Sequence, residues 1–184
     1  MKTILSLFLI LTFTTNYAQS NNTEEAKEAL DWIQGKISGI KSDKYFDMGA
    51  MSKNYWKKYS YKIEYDASTC SVKIIESESY IEDRNSVKND RESENTYEFN
   101  LSDISSIVSE DATLYGQKQF KIKTYNAKKV IHKTSKGWYN HDTQIDELLI
   151  YYTELGDLKD QPERFVNAFS DAVKMCGGGK KEKY

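Results

Sequence analysis

The chain has 184 residues, enough for one domain or a domain with a small appendage. Hydrophobic residues make up 39%, charged residues 29% and aromatic residues 13%, and 26 Lys and Arg against 28 Asp and Glu leave a net charge of −2. The aromatics exclude a disordered chain, the missing basic excess argues against a nucleic-acid binder, and one proline with two cysteines excludes a proline-rich linker or a disulfide-dense miniature fold.

Met1-Lys2 opens with a positive charge, Ile4 to Phe13 is an apolar run, and Thr14-Thr15-Asn16 lead into Tyr17-Ala18-Gln19. This is the three-part plan of a secretory signal peptide, cut after Ala18. The run is shorter than the roughly 20 apolar residues that a membrane span needs, and no other stretch is long enough. The chain is therefore expected to be exported, periplasmic or secreted, without stable membrane insertion.

Ala26, Ala29, Leu30, Ile33, Ile37 and Ile40 recur at helical spacing after Asn22 or Thr23 as cap, which predicts an amphipathic helix over 23–38. Residues 41–54 read as a connector. The period then changes to two. Tyr59, Tyr61, Ile63 and Tyr65 predict a half-buried strand, Asp66-Ala67-Ser68 a turn, and Cys70, Val72 and Ile74 the returning strand. Residues 76–95, the most polar stretch, read as a surface loop, with the strand extending at most to Tyr80-Ile81.

Tyr97, Phe99 and Leu101 predict a strand, and Leu101, Ile104, Ile107 and Val108 a helical turn or bulged corner capped by Ser102 or Asp103. Phe120 to Thr124 and Val130 to Thr134 predict a hairpin, and 136–142 a loop. Leu148 to Tyr152 is the most apolar strand and is expected to be central. Pro162 opens a helix with Gln161 or Asp160 as cap, and Phe165, Val166, Phe169, Ala172, Val173 and Cys176 form its apolar stripe.

Helices at the two ends of a run of antiparallel strands predict an α+β fold: a strongly curved sheet or partly open barrel of six to seven strands, with an N-terminal helix and a C-terminal capping helix. The division reads as a signal peptide over 1–18, a helix and connector over 19–54, a β-rich domain with its helix over 55–176, and a flexible Gly/Lys tail over 177–184. The strand 96–101, the corner Leu101-Ser102-Asp103-Ile104-Ser105-Ser106-Ile107, the hairpin 119–134, the strand 147–152 and the helix 162–176 resemble the second half of a pleckstrin-homology-like or GRAM-like domain. That resemblance implies the curved sheet with its closing helix, and in many relatives phosphoinositide binding through bases on the first hairpin. The first turn here, Asp66-Ala67-Ser68-Thr69, carries no base, so phosphoinositide binding is not expected. The chain also resembles small exported Bacteroidetes proteins of unknown function, in Leu30-Asp31-Trp32-Ile33 and Cys176-Gly177-Gly178.

No motif names a reaction. The two histidines, His132 and His141, stand in different elements, and His141, Asp142 and Asp146 read as a polar loop, so no metal or cofactor is expected. No Gly-x-Ser-x-Gly is present, and Gly177-Gly178-Gly179 follows a helix where a phosphate loop would precede one. Cys70 and Cys176 both fall on core-facing positions, either as a disulfide suited to an oxidising compartment or as two buried thiols. Tyr55, Trp56, Tyr59 and Tyr61 crowd one strand, either as an aromatic binding face for a sugar or protein, or as a strand with half its rings in the core. The expected function is a non-enzymatic module binding a protein or small ligand. Its alternatives are a hydrolase with an unrecognised carboxylate site and a carrier of an apolar ligand.

Overall fold

Helical spacing brings Ala26, Leu30, Ile33 and Ile37 to one buried face, and a computed structural model folds 24–37 as helix α1. The structure describes residues 24–47, 54–84, 87–112, 117–137, 140–158 and 161–179, without the side chains of 44–47, 54–55, 82–84 and 87–90. The signal-peptide segment 1–18 and residues 180–184 of the tail lie outside the described residues.

Nine strands follow among those residues. They are β1 (Lys41–Asp47), β2 (Asn54–Asp66), β3 (Ser71–Arg84), β4 (Val87–Asn100), β5 (Ile104–Asp111), β6 (Lys118–Thr124), β7 (Ile131–Lys136), β8 (His141–Ile145) and β9 (Glu147–Tyr152). Helix α2 (Pro162–Met175) ends the fold. One sheet has the order β1-β2-β3-β4-β7-β8 and the other β5-β6-β9. Every named pairing is antiparallel. The class is therefore α+β, but with more strands than the six or seven predicted, and in two sheets that do not close into a barrel.

The extra strands come from segments whose polarity hid them. Residues 76–95 are not a loop: they complete β3 and β4, which stay in register from Ser71↔Asn100 to Arg84↔Val87. The stretch is polar and acidic, and strand positions turned to solvent need no apolar residues. The connector 41–54 contains β1, which pairs with β2 from Lys41↔Ser60 to Asp47↔Asn54. The corner at 101–108 is a one-turn 3-10 helix, Leu101–Asp103, capped by the Asn100 side chain, which accepts from the Ser102 amide. The chain then straightens into β5 with a bulge between Ile104 and Ser106.

The hairpin expected over 119–134 does not form. Asn126 and Ala127, both at positive φ, turn the chain out of the second sheet, and β7 pairs with β4 in the first. Apolar β9 is an edge strand paired only with β6 in its sheet, and its alternating burial reflects one face on the core. Gln161 is the α2 cap position but makes no side-chain cap bond.

α1, both sheets and α2 share one core, so the N-terminal helix folds with the β-rich part. Phe120 centres it, with ring centroids 4.7 Å from both Tyr152 and Phe165. The structure joins Cys70, in the β2–β3 turn, to Cys176, the C-cap of α2, with Cα atoms 5.9 Å apart. The chain beyond then runs tight against the β4–β5 corner. A Cβ on Gly178 would lie 2.4 Å from the Leu101 carbonyl oxygen, and the Gly179 amide donates to Ile104 O at 2.9 Å. Closing a loop with a sequence separation of 106 restricts the unfolded chain strongly. Cys70→Ser or reduction is expected to lower unfolding free energy by about 4 kcal/mol in urea titrations, and a loss under about 1 kcal/mol would show that other contacts hold this end.

Candidate functional site

Side chains on β2, β3 and β4 alternate between two faces, and the registers assign every residue to a transverse row. On the core face, Ile63, Ile74 and Tyr97 make an apolar row. The next row is polar: Tyr61, Glu76, Asn95 and Ser135 stand side by side on β2, β3, β4 and β7. Ser135 Oγ donates to Asn95 Oδ1 at 2.6 Å, and Asn95 Nδ2 donates to Glu76 Oε1 at 2.7 Å. Tyr97 donates its hydroxyl to the same oxygen at 3.3 Å. Tyr61 OH accepts the Tyr151 amide at 2.9 Å and so ties the seam to the second sheet.

Glu76 is 4% exposed. Burial drives its carboxyl above the usual carboxylate range, helped by the Glu78 charge and opposed by the Asn95 and Tyr97 hydrogen bonds and by Lys133. Burial likewise raises the hydroxyls of Tyr59, Tyr61 and Tyr97, and the Glu76 charge adds to each rise. Further out, Glu78 pairs with Lys57 at 2.7 Å and Lys57 lies 6.0 Å over the Tyr80 ring.

The opposite face carries the concavity. Lys41, Ser60, Ser77, Glu94 and Lys136 form one row across β1, β2, β3, β4 and β7. Asp43, Lys58, Ser79 and Glu92 form the next. Serines make the floor and longer charged side chains the walls, and the depression between them has a volume of about 800 Å³. The intervening residues Ser42, Tyr59, Glu78 and Ser93 also line it. Their side chains belong to the core face, so what they present is backbone. Thr153 and Glu154 close one end, where both amides donate to Lys41 O. Gly137 (φ 120) closes the other, so near β4 that a Cβ would lie 2.6 Å from the Glu92 carbonyl oxygen. Lys58 and Asp43 pair at 3.6 Å on the wall.

The residues singled out in the sequence separate. Cys70 and Cys176 are bonded. Trp56 stands on the trough face, one row beyond Lys58 and 40% exposed. Tyr61 is buried in the core, and Tyr59 packs its ring 5.8 Å from Tyr151. These aromatics therefore do not share one binding face, because adjacent strand positions alternate. Tyr55 lies in β2 with its side chain outside the described ones. The trio His141, Asp142 and Asp146 does not assemble: Asp142 Oδ1 instead meets His132 Nε2 at 2.7 Å across β7 and β8. Among the described residues no group of three His, Cys, Asp or Glu side chains is arranged for a metal. No described helix is long and apolar enough to cross a membrane.

Sequence reasoning misses Glu76 and the β3–β4 part of the trough together, because both sit in the acidic stretch that reads as a loop. A signal was present: Glu76, Glu78 and Tyr80 alternate with Ser77, Ser79 and Ile81 at period two. Compared with known proteins, the chain matches no family model, no curated protein and no solved structure.

A carboxyl whose value is raised by folding stabilises the native state below its unfolded value, and that contribution disappears as pH climbs through the folded one. Glu76→Gln is therefore expected to match the native chain in urea midpoint near pH 4 and to exceed it near pH 8. A gap that stays constant with pH, or shrinks on the alkaline side, would contradict a proton on Glu76.

Proposed function

We propose that the chain is an exported, non-enzymatic binding module that holds its ligand in the serine-floored trough across the first sheet. The observation that carries this reading is a depression of about 800 Å³ whose floor is paired sheet backbone with small hydroxyls. Such a surface is rigid before a ligand arrives, which lowers the ordering cost of binding. The buried carboxyl lies on the other side of the sheet, so the group with the chemistry of a general acid does not face the trough. This favours binding over hydrolysis. The space between the sheets and α2 is filled by Phe120, Phe165 and Phe169, which favours binding on the sheet over carriage of an apolar ligand inside.

Export is supported by the three-part N-terminal segment and by the Cys70–Cys176 bond, which suits an oxidising compartment. We also read the chain as related in plan to pleckstrin-homology-like domains. Three-stranded β5-β6-β9 and the closing helix α2 support this, while β7 and β8, returning to the first sheet, lie outside that plan.

Hydrogen–deuterium exchange of the mature protein, with and without a soluble extract of its own cell envelope, tests the site. Slowed exchange over 41–43, 58–60, 77–79 and 92–94 is expected. Slowing confined to other segments would remove the trough from the reading, and consumption of an extract component that Glu76→Gln abolishes would restore the hydrolase. Mass spectrometry of the exported protein is expected to give Gln19 as its first residue; recovery only as an uncut chain in the cytosol would refute export.

A further inference from the structure

The ligand class follows from what the trough offers, and this step rests on the binding reading just given. The two wall rows bring three lysines, Lys41, Lys58 and Lys136, against three carboxylates, Asp43, Glu92 and Glu94. With Glu154 at the rim the count is three against four, a near balance that gives no strong field for a polycation and tips the site away from phosphates. The floor hydroxyls of Ser60, Ser77 and Ser79 can each donate and accept, the ammonium groups only donate, and the carboxylates accept. A ligand matched to this set carries both functions on the same groups, many times over, without charge. Polyols do so.

The geometry narrows the match. The trough crosses five strands, roughly 19 Å at the usual strand spacing, so it is elongated. Its floor backbone is already paired within the sheet, and only side chains are left for recognition. A peptide in extended form recognises backbone at a sheet edge and gains little from a face of this kind. At its side on the same face lies Trp56, 40% exposed, with Ile81 beside it in register. An aromatic plane beside hydroxyls and carboxylates suits a ring with polar groups round its rim and C–H bonds on its faces. We infer that the trough is a saccharide site: it takes a neutral oligosaccharide chain lying across β1 to β7, with one ring against Trp56.

The test uses the mature, disulfide-bonded protein on an array of neutral, acidic and amino-sugar oligosaccharides, with calorimetric titration of the sugars retained. Neutral chains are expected to bind. Ser77→Leu, which fills the floor, is expected to weaken them at least about tenfold, and Trp56→Ala by about three- to tenfold. Far-ultraviolet circular dichroism and the unfolding midpoint check that both variants keep the fold, and Ser60→Leu, filling the floor from the neighbouring strand, replaces any variant that does not. Retention of acidic sugars only, or neutral binding that survives both substitutions, overturns the assignment. If no sugar binds while envelope extract still slows exchange over the trough, the saccharide is wrong and the binding site stands. If neither effect is seen, both readings fall.

Discussion

The register of the three long strands decides almost everything else in the molecule. β2, β3 and β4 run antiparallel without a shift from Asp66↔Ser71 and Ser71↔Asn100 to the far end of the ribbon. With a side-chain period of two, a slip by one residue would send Glu76 to solvent and Ser77 into the core. The register is therefore fixed from the core side, by Ile63, Ile74, Tyr97 and Phe99, and the trough face inherits its order. Lys41, Ser60, Ser77, Glu94 and Lys136 line up because the apolar residues behind them must.

The seam of Tyr61, Glu76, Asn95 and Ser135 marks where that apolar packing ends. A buried carboxyl is costly unless its partners are in place, and here both, Asn95 and Tyr97, come from β4, with Ser135 of β7 holding Asn95 and Tyr61 tying β2 to the second sheet. The arrangement makes a misregistered ribbon leave several polar groups unmatched at once. On one side of this seam the strands carry a core, on the other they continue as a largely polar ribbon braced by pairs such as Lys57 with Glu78. The disulfide acts at the opposite end, where it anchors α2 over the β2–β3 turn and leaves the trough untouched.

The sequence made legible what apolar periodicity encodes. α1, α2 and the β2–β3 turn are in place to within a few residues, and the strand at Tyr97 and Phe99 ends where expected although it begins nine residues earlier, because only its buried part repeats apolar residues at period two. What stayed hidden is polar on both faces or depends on distant pairing. Residues 82–90 have no apolar stripe, so composition alone cannot tell a paired ribbon from a loop. β6 and β7 look like a hairpin in sequence, but β6 is flanked by β5 and β9, and the positive φ of Asn126 and Ala127 turns the chain away to β4. Proximity along the chain groups Trp56 with Tyr59 and Tyr61, but the pleat puts odd-numbered Tyr59 and Tyr61 on the opposite face.

The serines carry the remaining step. Solvent-facing positions in the middle of a sheet are stabilised by β-branched or aromatic pairs, and Ser supplies neither bulk nor stiffness. Ser60 faces Ser77 in register, with Ser79 next along the same face of β3, near the middle of the β2–β3 ladder. Larger residues there would strengthen the ribbon and fill the trough. Their absence costs stability without any return inside the fold, while Gly137, which must be glycine to lie against Glu92, keeps the far wall where it is. Under the proposed binding function, small residues at the floor of this concave, mixed-charge surface keep open the space that a ligand needs.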